Sequence, residues 1–119
     1  MLNQYTVSLT TNAAGGVTAY SQRITTGRIV ALKYEPGTIA TDCTVTMTGE
    51  TSEVAVLTKA SPGASDVWYY PQAISNQVSD GAASAITEVP VHLYSERLKV
   101  VVTSGGNAAS GEVTLYIDE

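Results

Sequence analysis

The sequence predicts an all-β protein, an antiparallel β-sandwich or jelly-roll-like fold of eight or nine short strands, with residues 1–119 as a single domain. Apolar and polar residues alternate with a period of two through most of the chain, as they do in half-buried strands. Turn-forming glycine, proline and aspartate residues separate these segments at short intervals. Threonine and valine, which favour strands, are abundant, and no segment carries a convincing helical stripe.

Nine segments carry the strand pattern. They are residues 4–11, 17–25, 28–34, 42–48, 54–59, 67–70, 90–94, 97–103 and 112–118. A glycine-containing segment separates the first two, and another separates the last two. Because glycine reaches the positive φ values of tight turns at little cost, each of these pairs is predicted to form a hairpin, one at each end of the chain.

The alternation also predicts which side chains enter the core. The inward residues are expected to be Tyr5, Val7, Leu9, Val30, Leu32, Tyr34, Cys43, Val45, Met47, Leu98, Val100, Val102, Val113, Leu115 and Ile117. The same period places Arg28 and Lys33 on opposite faces of their strand. The segment 67–70 is apolar on both faces, so it is expected to lie either at the centre of a sheet or half exposed at a partner surface. Either Trp68 and Tyr70 or Val67 and Tyr69 are expected to belong to the core.

Residues 72–88 interrupt the alternation. They are small and polar, they contain an Asp80-Gly81 turn signal, and no helical stripe fits them. The sequence therefore predicts a long loop. Loops of this length in a compact domain are often functional, so this loop is expected to be the main contact segment with a partner.

The charge and cysteine content exclude several classes of protein. Eleven acidic residues against six basic ones give a formal net charge of −5, which disfavours binding to a phosphate backbone, so no nucleic-acid partner is expected. The single cysteine, Cys43, excludes an internal disulfide and a cysteine-rich zinc site. The N-terminus lacks a basic head with a long apolar run, so neither a signal peptide nor a membrane span is expected.

No catalytic constellation is recognisable in the sequence. His92 is the only histidine, and it is expected to be a strand residue that faces solvent or a partner. Cys43 alternates with Val45 and Met47, which is typical of a small core residue. Almost all carboxylates fall in turns or at strand ends, where a solvated surface is expected. The protein is therefore predicted to be no enzyme and to need no cofactor or metal.

The aromatic residues point to a surface function instead. The chain has seven tyrosines, one tryptophan and no phenylalanine, so nearly every aromatic ring carries a hydroxyl group. Such rings suit interfaces that are dry on one side and wet on the other. The predicted partner-contact residues are Trp68, Tyr69, Asn76, Gln77, Asp80 and Tyr94.

A series of short motifs follows in the second half of the chain. It consists of Tyr69-Tyr70-Pro71, a polar segment, a strand led by Pro90-Val91, the basic-apolar run 97–100, a Gly105-Gly106-Asn107 turn and a closing strand that ends in Tyr116-Ile117. Over roughly residues 27–118 this series resembles small structural proteins of tailed bacteriophages that are encoded near the capsid genes.

The resemblance implies a virion protein that is made in the cytoplasm of the host bacterium. Its leading interpretation is a capsid decoration or cement protein that binds the major capsid protein through loops and edge strands and forms a homo-oligomer. A head–tail joining protein or a tail protein is also compatible with the resemblance, and no functional residues transfer from it. The residues themselves leave one further alternative, a carbohydrate-binding adhesion module, which would need two or three exposed coplanar aromatic rings.

Overall fold

The computed structural model of the chain describes residues 1–76 and 80–119, which form eleven strands and no helix. The strands are β1 (Leu2–Thr10), β2 (Val17–Tyr20), β3 (Thr25–Glu35), β4 (Thr44–Gly49), β5 (Ala55–Ala60), β6 (Val67–Tyr69), β7 (Gln72–Asn76), β8 (Ala83–Pro90), β9 (His92–Glu96), β10 (Leu98–Thr103) and β11 (Ser110–Asp118). Each of the nine predicted segments contains a strand. The two additional strands, β7 and β8, come from the segment that was predicted to be a loop.

The strands form two antiparallel sheets that enclose the core. In the first sheet the order is β1-β11-β3, and β6 and β9 share the remaining edge of β3. In the second sheet the order is β2-β10-β4-β5. Successive strands alternate between the two sheets from β1 to β4 and from β9 to β11, and the chain crosses once more from β5 to β6. The predicted antiparallel β-sandwich is therefore confirmed, with eleven strands in the described residues in place of the predicted eight or nine.

Neither of the two predicted terminal hairpins forms. β1 pairs with β11 and β2 pairs with β10, so each supposed hairpin is divided between the two sheets. The glycine-containing turn between β1 and β2 is instead hydrogen-bonded to the one between β10 and β11. The Gly105 amide donates to the Gly15 carbonyl at 2.7 Å. A Cβ atom on Gly15, whose φ is +85°, would lie 2.9 Å from the Gly105 nitrogen. The two turns therefore carry the chain across the end of the sandwich together.

The predicted core residues are buried, except that Tyr5 is only partly buried and that β3 requires one correction. The register between β3 and β11 shifts so that Tyr116 faces Ala31 while Ile117 faces Ile29, which leaves Val30 as the extra residue of a β-bulge. Ile29 is therefore buried, and Val30, predicted to face inward, is 39% exposed.

The bulge has a second consequence for β3. It brings Arg28 and Lys33 to the same outer face of the sheet, contrary to the prediction from a strict period of two. Arg28 pairs there with Asp118 at 3.1 Å, and Lys33 lies over the ring of Trp68.

The segment 72–88, predicted to be a loop, is a hairpin in the described residues. β7 and β8 pair with each other, and the structure shows no pairing of either strand with the two sheets in the part of the chain it describes. Pro71 and Pro90 stand at its base, where Gln72 faces Pro90. A proline has no amide hydrogen to donate to a ladder, so the two prolines separate this hairpin, called the arm below, from β3.

Candidate interaction surface

The outer face of the first sheet carries a half-exposed tryptophan. Trp68 lies opposite Lys33 in the β3–β6 ladder and is 44% exposed. Its ring centre is 5.2 Å from that of Tyr116, with the two planes inclined at 37°. The Lys33 ammonium group lies 5.6 Å from the ring centre, within the range of a cation–π contact. The tryptophan is thus held by two neighbours and still presents apolar surface to solvent.

A second aromatic pair lies on β9, the other strand at this edge. The rings of His92 and Tyr94 are stacked, with centres 6.2 Å apart and planes inclined at 17°. Tyr94 is 61% exposed, and His92 is exposed opposite Arg28 in the β3–β9 ladder. We call Trp68, Tyr94, Tyr116 and His92 together the aromatic face. They lie on one side of a continuous sheet and are positioned by its backbone hydrogen bonds.

The structure shows which alternate pair within residues 67–70 faces the core. Val67 and Tyr69 pack against the core, and burial raises the pKa of the Tyr69 phenol. Trp68 and Tyr70 point away from the core, and Tyr70 is 68% exposed. Tyr69, a predicted contact residue, is therefore half-buried. Tyr70 was not among the predicted contacts, although the alternation with Trp68 was available in the sequence to indicate it.

Two predicted contact residues, Asn76 and Asp80, belong to the described part of the arm. Asn76 ends β7 and faces Ala83 in the ladder. Asp80 is exposed, and its side chain accepts a hydrogen bond from the Ala82 amide at 2.9 Å, which is an Asx-turn contact. Gln77 lies outside the described residues. The arm follows the aromatic face closely in the chain. Tyr70 and Pro71 join β6, which carries Trp68, to β7, the first strand of the arm.

Charged side chains border the aromatic face on one side. Lys33 forms an ion pair with Glu35 at 3.2 Å and lies 4.0 Å from Asp66. The hydrogen bond to Glu35 is the main reason why the pKa of Lys33 is raised. Glu112 lies directly opposite Glu35 in the β3–β11 ladder. The border of the face is therefore acidic, with Lys33 as its central cation.

One carboxylate contradicts the prediction of a solvated surface. Glu96 ends β9 and is only 1% exposed. One of its oxygens accepts hydrogen bonds from the Thr51 and Ser52 amides, both at 2.9 Å, and the other accepts from the Tyr94 amide at 3.0 Å. Burial by itself raises the pKa of this carboxyl, but the hydrogen bonds outweigh burial and hold the pKa below its ordinary value. Glu96 therefore joins the turn after β4 to β9.

An open groove of about 620 Å³ lies beside Glu96. It is lined by Gln22, Arg23, Ile24, Glu50, Thr51, Ser95, Glu96 and Arg97. Arg97 donates two hydrogen bonds to the Glu50 carboxylate, and this contact lowers the pKa of Glu50. Both carboxylates of the groove thus already have partners, and His92 is not among the lining residues. The groove therefore does not bring the single histidine of the chain beside these two carboxylates.

Within residues 1–76 and 80–119, no group of three or more histidine, cysteine, aspartate or glutamate residues is placed to hold a metal ion. The same residues form no helix that is long and apolar enough to cross a membrane. Comparison with protein-family models, curated proteins and solved structures finds no significant match. The functional inference therefore depends on the surface of the chain itself.

Proposed function

We propose that the protein is a non-enzymatic structural component of a bacteriophage virion, a decoration or cement protein that binds the major capsid protein. The observation that carries this proposal is the aromatic face, on which Trp68 and Tyr94 are 44% and 61% exposed on a rigid sheet. Aromatic residues are enriched in protein interfaces, and a few buried aromatic anchors provide most of the binding energy there. The resemblance of the sequence to tailed-phage structural proteins supports the choice of partner.

The arm supports the same proposal. A two-stranded hairpin is marginally stable in water by itself, because it has no second layer on which to bury a face. The described side chains at its base are exposed on both strands, among them Gln72, Ala73, Glu88 and Val89. Contact with a neighbouring capsid subunit would bury this surface. The protein would then stabilise the capsid, because opening the capsid would also have to break the contacts of the arm and the aromatic face.

The test is binding to purified heads of the phage whose genome carries this sequence, measured by co-sedimentation. Trp68→Ala combined with Tyr94→Ala should raise the dissociation constant for heads at least tenfold, because losing two interface anchors costs more than about 1.4 kcal/mol of binding free energy. The matched control is Thr58→Ala combined with Thr46→Ala, on the outer face of the second sheet. Equal occupancy of the aromatic variant and the wild type would refute the role of the face.

The station within the virion is a separate question with its own experiment. Electron microscopy of particles that carry a labelled copy of the protein should show density over the head lattice if it is a decoration protein. Density confined to the neck or the tail would replace this assignment with the head–tail joining or tail alternative. Absence of the protein from purified particles, measured by mass spectrometry, would reject the virion proposal altogether.

A carbohydrate-binding adhesion module is the second candidate, favoured by the half-exposed ring of Trp68. A sugar platform needs exposed coplanar rings, but the planes of Trp68 and Tyr116 are inclined at 37°. Tyr116 is also only partly exposed. The geometry therefore supports a protein partner better. Binding of the wild type to a glycan array, abolished by Trp68→Ala, would favour the second candidate.

A further inference from the structure

The ring of Trp68 already has a cation beside it, which the chain itself supplies. The Lys33 ammonium group lies 5.6 Å from the ring centre, because Lys33 and Trp68 face each other in the β3–β6 ladder. Lys33 covers only part of the ring, since Trp68 is still 44% exposed. An indole ring attracts cations through the negative charge on its face, and arginine is the residue found there most often. The internal contact thus indicates which chemical group this part of the aromatic face can bind.

Three carboxylates next to the ring share this single cation. We call Glu35, Asp66 and Glu112 the acidic border, and all three line one open cavity of about 320 Å³. Lys33 lies 3.2 Å from Glu35 and 4.0 Å from Asp66, and the described residues give the border no other ion pair. The border therefore remains negatively charged in the free chain.

The position of Glu112 makes this negative charge unfavourable. Glu112 lies directly opposite Glu35 in the β3–β11 ladder. Like charges that face each other across two strands destabilise a sheet. A cation supplied from outside would reduce this repulsion, whereas an apolar partner surface would bury the carboxylates without compensation, which costs free energy. The charge of the border therefore selects a basic partner for the aromatic face.

We propose that the aromatic face binds an arginine side chain of a partner protein. The guanidinium group lies against the exposed part of the Trp68 ring and donates hydrogen bonds to the acidic border. Arginine suits this site better than lysine, because its planar group stacks on aromatic rings and donates to carboxylates in a fixed geometry. The ring of Trp68 reaches across β3 to within 5.2 Å of the Tyr116 ring on β11, so carboxylates on both sides of β3 are close to it. This inference rests on the proposed function, in which the aromatic face contacts the capsid protein.

Trp68 is the only tryptophan of the chain, so its indole N–H signal in NMR reports on the site directly. The probe is the blocked tripeptide acetyl-Gly-Arg-Gly-amide, titrated at constant ionic strength. Its citrulline analogue has nearly the same shape and no charge, and it serves as the control. The arginine peptide should shift the indole signal towards saturation, and the citrulline peptide should not. An equal response to the two peptides, or no response to either, would overturn the proposal.

A double variant tests the acidic border. Asp66→Asn combined with Glu112→Gln removes two of its charges and leaves the ion pair between Lys33 and Glu35 in place. The dissociation constants for the arginine peptide and for purified heads should each rise at least about fivefold. The matched control, Asp42→Asn combined with Glu53→Gln, changes the net charge equally at exposed positions on either side of β4 and should leave both constants unchanged. Equal weakening by the two double variants would overturn the proposal, because the attraction would then come from net charge.

Two single variants give results that a merely structural role of the border would not produce. Glu112→Gln should raise the Tm of the free chain, since it relieves the repulsion with Glu35, and yet it should weaken binding of the arginine peptide. Lys33→Gln should strengthen that binding, because the internal cation no longer occupies part of the ring. Weaker binding by Lys33→Gln, or unchanged binding by Glu112→Gln, would contradict the proposal.

The peptide and the heads together distinguish this inference from the proposed function. Specific binding of the arginine peptide by a chain that does not bind heads would support the cation site and reject the capsid partner. Binding to heads that the double variant of the border does not weaken would overturn the arginine proposal and leave the proposed function standing.

Discussion

Replacing Glu96 tests whether a buried carboxylate holds the turn after β4 against β9. Glu96→Ala removes the acceptor for three backbone amides, those of Thr51, Ser52 and Tyr94. A hydrogen bond to a charged group contributes about 1.5–3 kcal/mol, but these three residues lie at the surface, where water can replace part of each bond. About 1 kcal/mol for each bond gives a loss of about 3 kcal/mol in the free energy of unfolding.

Glu96→Gln preserves the shape of the side chain and separates charge from packing. The amide oxygen can still accept from Thr51 and Ser52, but the amide nitrogen then faces the Tyr94 amide, so two donors meet. We expect a loss of about 1–2 kcal/mol, smaller than that of the alanine variant. Glu53→Gln, in the same turn but exposed, is the control and should change stability by less than about 0.5 kcal/mol.

The pH dependence of these variants has a definite sign. The pKa of Glu96 in the folded protein is lowered from its ordinary value of 4.5, so the folded state favours the ionised form. Its contribution is therefore fully present above pH 4.5 and is lost as the pH falls through the lowered pKa. The difference in stability between the wild type and Glu96→Gln should shrink as the solution is made more acidic over this range.

Urea denaturation followed by tryptophan fluorescence measures the free energies, and calorimetry measures the melting temperatures. For a chain of this size, 3 kcal/mol corresponds to a decrease of about 12 °C in Tm. The reasoning is refuted if Glu96→Ala lies within 0.5 kcal/mol of the wild type. It is also refuted if the difference between the wild type and Glu96→Gln does not change between pH 7 and pH 3.

Three further predictions concern the core and the turns. Leu93→Ala should lower the free energy of unfolding, measured by urea denaturation, by about 2–5 kcal/mol, because Leu93 is fully buried. Leu2→Ala, at an exposed position, should lower it by less than about 0.5 kcal/mol, and similar losses for the two variants would contradict this packing. Gly37→Ala should lower Tm strongly, since the φ of Gly37 is +54° and a Cβ there would collide with the Ser110 carbonyl oxygen; an unchanged Tm would contradict this geometry. The Cys43 thiol, which is buried, should react with a thiol reagent only as fast as the protein unfolds, and rapid reaction in native buffer would contradict its burial.

The position of the strands was predictable because the alternation of residues is local. Cys43, Val45 and Met47 alternate with threonines, and burying that face requires only that the segment be extended. The prediction was wrong at Val30, since a bulge is created by the partner strand and leaves no mark in the period of two.

Strand pairing could not be read from the sequence in the same way. Short glycine-containing turns suggested hairpins at both ends, but such turns also allow the chain to cross from one sheet to the other. Which outcome occurs depends on the contact between the turns at Gly15 and Gly105, which are distant in sequence. The arm was missed because residues 72–88 do not alternate between apolar and polar types, so nothing local indicated that β7 pairs with β8.

The candidate surface was predictable only in part. The composition indicated an aromatic interface, and the apolar segment 67–70 was correctly expected to have one face in the core. Nothing local showed that Trp68 and Tyr70, and not Val67 and Tyr69, face outward. The buried position of Glu96 was also unpredictable, because its three amide donors come from two separate segments of the chain.

By itself, the sequence determined the all-β class, most of the strand positions and most of the inward-facing residues, since these follow from a repeat that neighbouring residues share. Only the tertiary structure decided which strands pair, where the bulge falls, which rings reach the surface and which carboxylate is buried. The physical reason is that backbone ladders and buried hydrogen bonds join residues far apart in the chain, so their energies depend on contacts that no short segment contains.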